Sequence, residues 1–295
     1  MLYCYCFVRL DAWESFHKIE CQQLDLITGA NLGKNAMLAF RILTSSGKIY
    51  LEYVVNKVKE ELEKPENEGG GPEKVGFNEE GVYDAGDYRT IYTLVGNTKH
   101  RGVGDLFKRA LMAAFMLKIL ELTPFFFNGG SDPRNVKLSD KVLVGGILLT
   151  HLQNLPCNAH EVAEIEVPAG SVKDSVQSEI GAASFGTLSL INHSCDPNVV
   201  RHYYSSLAVV TSVRTILAGE EIMDNYGYHY AVVAVADLQH SLHRYSARGR
   251  DPARPGQAHP SGVQQVQHAV QEGFRPGPCW KVQVRFFSSS RFYFF

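Results

Sequence analysis

The feature that most constrains the fold of this chain is a change of texture near residue 155. Before it, apolar residues recur at helical spacing in long stretches. After it they fall into short runs of alternating or β-branched residues, broken by Gly, Asn, Asp and Pro. A chain that is helical first and stranded later reads as α+β, not as alternating βα units.

Residues 34–45, "KNAMLAFRILTS", are rich in strong helix formers and predict a helix, with Asn35 as N-cap and Gly47 just past the end. A second helix is expected from about Asp105, which can cap it, to Leu122, where Thr123-Pro124 ends it. Apolar residues cover most of its circumference, so it should be largely buried. A third, about 139–154, stops before Pro156. The runs "EVAEIEV", "TLSLI", "NVVRHYY" and "LAVVTSV" read as strands. Residues 56–81 join a charge run to a triple glycine and read as a mobile surface insertion. Beyond about 246 the sequence is heavy in Arg, Gly, Pro and Gln and is expected to hold little order.

The bulk numbers exclude more than they identify. A 45% hydrophobic content supports a real core, while 29 basic against 31 acidic side chains give a net charge of −2. No whole-molecule field therefore draws the chain to nucleic acid or anionic lipid. The longest apolar segment, "LFKRALMAAFMLKILEL", is interrupted by Lys108, Arg109 and Lys118, against a membrane span. Six scattered cysteines read as thiols or metal ligands of a reducing compartment, so the expected location is cytoplasm or nucleus.

Three stretches could carry chemistry. In "LINHSCDPNVV", Asn192, His193, Ser194, Cys195, Asp196 and Asn198 sit between two apolar runs. By composition this is first of all turn chemistry, with Asn and Asp bonding nearby backbone and Pro197 fixing φ. A Cys/His nucleophilic pair is the weaker reading, because no third group is identifiable to orient His193. In "LAGEEIMDNYGYHY", a short strand over 220–223 is followed by Tyr226-Gly227, where the backbone needs a positive φ; a tyrosine hydroxyl there can orient or accept a proton. At the head of the chain, His17 and Cys21 are four apart, as a zinc-binding H-x3-C pair on a helix requires, with Cys4 and Cys6 nearby.

Taken together, "NHSCDPN" followed by "AGEEIMDNYG" resembles the C-terminal half of a SET domain, the fold of protein-lysine methyltransferases that use S-adenosylmethionine. "AWESFHKIEC" resembles the last helix of a MYND zinc finger, which points to the SET and MYND domain-containing proteins. "CQQLDLITGANLGKNAMLAFRIL", "DLFKRALMAAFMLKILEL" and "LTHLQNLPCNAHEV" are similar to that family's helical insert and the segment after it.

The resemblance implies a helical insert packed on the C-terminal half of a SET-domain β-fold, followed by a disordered tail. It divides the chain into a MYND remnant at 1–22, the insert at 23–155, the SET half at 156–230 and an atypical tail at 231–295. It implies that Asn158, Ser189, Ile191, Asn192, His193 and Tyr226 contact S-adenosylmethionine, with the Tyr226 hydroxyl beside the transferring methyl. The substrate is then a protein bearing a target lysine, histone or not, and the insert offers a surface to protein partners. Two structural zinc sites are also implied. Cys195 would join three post-SET cysteines, yet only Cys279 follows Tyr230, and Cys4, His17 and Cys21 would belong to the MYND finger, where Val8 replaces the second cysteine of a C-x3-C. The expectation is an internal piece of such a protein. A non-catalytic interaction module stays open as the rival, since a site lacking these elements would bind the cofactor poorly.

Overall fold

The computed structural model describes residues 12–63, 75–78, 80–126, 136–167, 176–204, 207–227 and 283–286. They fall into two compact units, one holding the described residues of 1–60 and 98–184, the other those of 61–97 and 185–290. The α+β order is observed: helices lead and strands follow. Among the described residues no helix is long and apolar enough to cross a membrane.

The first unit opens with a helical run of changing pitch, π over Trp13–His17, α over Lys18–Glu20, 3-10 over Cys21–Gln23 and α over Leu24–Gly29. α1 (Lys34–Ser46) follows, and α2 (Lys48–Glu63) starts just past Gly47. α1 buries Leu38, Phe40, Ile42 and Leu43. Glu20, 1% exposed, ties the opening run to α1: its carboxylate accepts from the Arg41 guanidinium at 2.6 Å and from the Thr44 hydroxyl at 2.7 Å, while Arg41 lies 4.0 Å over the Phe16 ring. α3 (Val103–Glu121) and α4 (Leu138–Asn158) pack against each other, and α4 also packs on α1. β1 (His160–Glu166) and β2 (Val176–Ala183) form an antiparallel pair with a bulge between Val162 and Ala163. Lys34 binds Glu179 and, at 3.3 Å, Glu161 on that pair.

In the second unit a tight segment spans 75–97, in which Phe77 bridges Tyr83 and burial pushes the Tyr83 phenol up to about 12. Beyond it come β3 (Asn192–His193), β4 (Val199–Tyr204), β5 (Leu207–Ser212), β6 (Met223–Asp224) and β7 (Gln283–Phe286). β4, β5 and β7 make an antiparallel sheet with β5 in the centre, and β3 pairs with β6. Its core includes Tyr88, Ile91, Leu188, Val199 and Val209.

Several expectations are corrected. α1 starts at Lys34 behind Gly33, whose φ of +85° ends the preceding turn, so Asn35 lies inside the helix instead of capping it. Asp105 is likewise inside α3, which starts after Gly102, and it binds Arg101 and Arg109. α3 is not largely buried: Val103, Phe107 and Leu111 are exposed, because only the face bearing Ala113, Met116, Ile119 and Leu120 meets the core. Residues 56–63 are the last turns of α2, whose Leu51, Val54, Val55 and Val58 anchor a charged outer face; 64–74 lie outside the described residues. "TLSLI" is no strand, for Leu188–Leu190 is a 3-10 turn. Of the tail expected to lack order, 283–286 form β7 on the edge of β5, and the rest lies outside the described residues.

α4 continues through Pro156 to Asn158 instead of stopping before it. Proline carries no N–H and its ring crowds the carbonyl four residues back, here that of Leu152. Arg109 donates to the Leu152 carbonyl, and Arg101 donates to the Gln153 carbonyl at 2.6 Å. The bond the helix forfeits is supplied by α3.

His151, fully buried on α4 with Nδ1 3.3 Å from Asn154 Oδ1, is held neutral by burial, which lowers its pKa to about 4. Its contribution is complete above the ordinary pKa of 6.5 and is lost as pH falls from there towards 4. In urea unfolding at pH 7.5 and pH 4, the stability advantage of the wild type over His151→Gln should shrink by about 3 kcal/mol between the two pH values.

Candidate functional site

The site lies in the second unit, where 190–198 crosses 217–227. β3 and β6 run parallel, with Asn192 opposite Met223 and His193 opposite Asp224. Ser194 N–H extends the pairing to the Asp224 carbonyl at 2.8 Å, and Asn198 N–H donates to the Met223 carbonyl at 3.1 Å. Two residues of parallel pairing cannot hold a crossing by themselves. The Asn198 side chain, 1% exposed, supplies the rest: Oδ1 accepts from Met223 N–H at 2.8 Å and Nδ2 donates to the Glu221 carbonyl at 2.8 Å. The turn chemistry read from the sequence is present too, since the Ser194 hydroxyl accepts from Asp196 N–H and donates to the Asp196 carbonyl, both at 3.0 Å.

His193 binds the two segments together. Tyr226 N–H donates to His193 Nδ1 at 3.0 Å, so in the neutral ring the proton sits on Nε2, which faces Cys195 Sγ at 3.4 Å. The His193 and Tyr226 rings lie 5.1 Å apart, tilted by 46°. The half-buried Tyr226 hydroxyl donates to the Ile191 carbonyl, and the Asn192 amide donates to the Glu221 carboxylate.

The backbone that carries Tyr226 is fixed from below. Arg201 of β4 donates to the Asp224 carboxylate and, at 3.1 Å, to the Asn225 carbonyl; these two side chains are 19% and 5% exposed. Burial pushes the Asp224 carboxyl up, while the Arg201 guanidinium pulls it back. Asp224 Oδ1 accepts from Asn225 N–H at 2.8 Å and Asn225 Oδ1 from Gly227 N–H at 2.6 Å; Gly227 has the positive φ, +112°, that the sequence called for. On the far side of the crossing, the Arg214 guanidinium and then Leu217 N–H hold the Glu220 carboxyl down at about 2, bracing the 217–220 turn.

The structure thus brings Ile191, Asn192, His193, Cys195 and Tyr226 into one bonded cluster. Ser189 is half-buried, its hydroxyl on the Phe185 carbonyl at 2.8 Å. Asn158 belongs to the first unit, at the end of α4, where Nδ2 donates to the Asn154 carbonyl at 2.7 Å. The sequence marks Asn198 only as one of the turn residues and Glu221 only as part of a short strand, and it assigns no role to Arg201 or Asp224. Arg201 had a visible signal, a cation in the middle of the strand pattern "VVRHYY".

The described residues do not fit a zinc centre. Among them no three His, Cys, Asp or Glu side chains gather to hold a metal ion. His17 lies in a π turn with its ring edge-on to Trp13 and Cys21 in a 3-10 turn, so the regular α-helical spacing that would align them is absent; Cys4 lies outside the described residues.

A family model described as SET domain matches residues 32–227, from ahead of α1 through Gly227. The chain is similar to Protein-lysine N-methyltransferase SMYD4 of Homo sapiens, 27% identical over 267 residues, 78% of this chain and 33% of the relative. The Pongo abelii protein of that name is 26% identical over 269 residues, with the same coverage. N-lysine methyltransferase SMYD2 of Homo sapiens is 38% identical over 64 residues, 22% of this chain. The chain spans 33% of the length of the two SMYD4 relatives.

Because Arg201 offsets the buried charge of Asp224, Arg201→Met should destabilise the fold by about 3–5 kcal/mol in urea unfolding at neutral pH. Arg201→Met with Asp224→Leu should recover most of that loss.

Proposed function

The chain belongs to the SET domain family, and we propose that it acts in transfer of a methyl group from S-adenosylmethionine to a lysine of a protein substrate. One observation carries the reading: the Tyr226 hydroxyl is aimed at the Ile191 carbonyl, while the Tyr226 N–H is held by His193, all within the crossing of 190–198 and 217–227. The names of the matched relatives, protein-lysine and N-lysine methyltransferases, give the reaction class.

The residues fit the cofactor in chemistry. A cluster of carbonyl, amide and hydroxyl groups beside two aromatic rings suits a sulfonium, whose methyl carries partial positive charge and whose purine offers polar edges. Ile191, Asn192, His193, Ser189 and Tyr226 would hold it. When bound, S-adenosylmethionine supplies an activated methyl. The chain's own work is alignment and exclusion of water, since an in-line displacement needs a neutral amine held opposite the leaving sulfur. Tyr226 orients that amine. His193 fixes the tyrosine and, with Nδ1 already accepting a backbone proton, is not spent as a general base.

Titration of the chain with S-adenosylmethionine by calorimetry should show saturable binding; a folded chain that binds none would overturn the reading. In assays with labelled cofactor and protein extracts, Tyr226→Phe should lower methyl transfer about a hundredfold or more while cofactor affinity changes little.

A further inference from the structure

We propose that Arg201 is a positioning residue for Tyr226, setting the two peptide planes that lead into it. This deepens the methyl-transfer reading and rests on it, since it takes Tyr226 as the residue beside the transferring methyl. Arg201 stands in the middle of β4, opposite the buried Val210 of β5, and its side chain reaches across to the segment that carries Tyr226. There its Nη1 donates to the Asp224 carboxylate and, at 3.1 Å, to the Asn225 carbonyl.

The bonds on either side of Asn225 show what that reach accomplishes. The peptide joining Asp224 to Asn225 is bonded at both poles: the Asp224 carbonyl accepts from Ser194 N–H at 2.8 Å, and the Asn225 N–H donates to Asp224 Oδ1 at 2.8 Å. The next peptide is bonded at both poles as well. Its carbonyl, that of Asn225, accepts from Arg201, and its N–H, that of Tyr226, donates to His193 Nδ1 at 3.0 Å. Two fixed planes define φ and ψ of the residue between them, so the direction in which Tyr226 leaves the chain is set before its hydroxyl meets the Ile191 carbonyl. Arg201 serves both planes. It closes the second directly, and it holds the carboxylate that closes the first. Stability alone does not account for the pair: with side chains 19% and 5% exposed, the two charges lose hydration that their attraction only roughly repays, and apolar residues of similar volume commonly hold a fold as well. Apolar residues cannot, however, pin a carbonyl and a carboxylate at fixed positions.

The variant that separates holding the fold from aiming Tyr226 is Arg201→Met with Asp224→Leu, which gives up both charges together. Three readouts are taken on the full chain: hydrogen exchange of the Tyr226 amide, whose own acceptor His193 is untouched; S-adenosylmethionine affinity by calorimetry; and the maximal rate and KM of methyl transfer with labelled cofactor and protein extract. The double variant should fold, exchange the Tyr226 amide about tenfold faster and lose about tenfold or more in maximal rate, while cofactor affinity and KM stay within about threefold. A merely structural pair would leave exchange and rate at their wild-type values once the fold is regained, and either value unchanged in the folded double variant overturns the proposal. Arg201→Lys keeps a charge beside Asp224 on a shorter side chain without the guanidinium plane, and it should fall between. If the double variant does not fold, Arg201→Lys decides, and wild-type exchange and rate in it overturn the proposal. If the wild type transfers no methyl, the methyl-transfer reading fails; the positioning of Tyr226 is then decided by exchange alone, where an unchanged Tyr226 amide in the folded double variant ends it.

Discussion

The site depends on one buried amide. Asn198 gives up its exposure to water to bond a strand N–H and a strand carbonyl on the segment that crosses it. The crossing it closes has only two paired residues per strand, joined in parallel, so backbone pairing supplies little of its rigidity. A planar amide can replace a missing rung because it offers one acceptor and two donors in fixed geometry, matching what an open strand edge presents. Met223 is set directly by this rung, and Tyr226 lies three residues on.

The same substitution of side chain for backbone recurs in the first unit. Pro156 deprives the Leu152 carbonyl of a donor, and the loss is made good by a guanidinium from another helix. In both places the chain breaks a rule of secondary structure and meets the deficit with a charged or amide side chain that is itself held by a second partner. Glu20 shows the converse case, a buried carboxylate made tolerable by Arg41 and Thr44 together.

Three helices, α1, α3 and α4, and the strands β1, β4 and β5 are legible in the sequence because each is set by local period and punctuation, whereas α2, β2 and β7 are not. α1, β4 and β5 emerge within a residue or two of where their patterns predict. What was not legible is what one segment does for another. The end of α4 is not legible locally, because proline is a stop signal only when no distant donor answers it. The exposure of Val103, Phe107 and Leu111 is not legible either, because composition counts apolar residues without saying which of them meet a neighbour. At the site, Asn192, His193 and Tyr226 stood out through a paired motif, whereas Arg201 and Asp224 are 23 residues apart and have meaning only as a pair.

That division explains why the catalytic candidate is better marked in the sequence than the parts that make it work. A tyrosine hydroxyl has a role only if its position is fixed to a fraction of an ångström, and no local preference of the 224–227 segment supplies that. Its constraints come from four directions: His193 on the backbone N–H, Ile191 on the hydroxyl, Arg201 on the Asn225 carbonyl, and Gly227 through a φ open to glycine. These supporting contacts join residues far apart in the chain, so no local spacing announces them. Tyr226 stands within a short motif that the sequence displays, while its support has to be read from the fold.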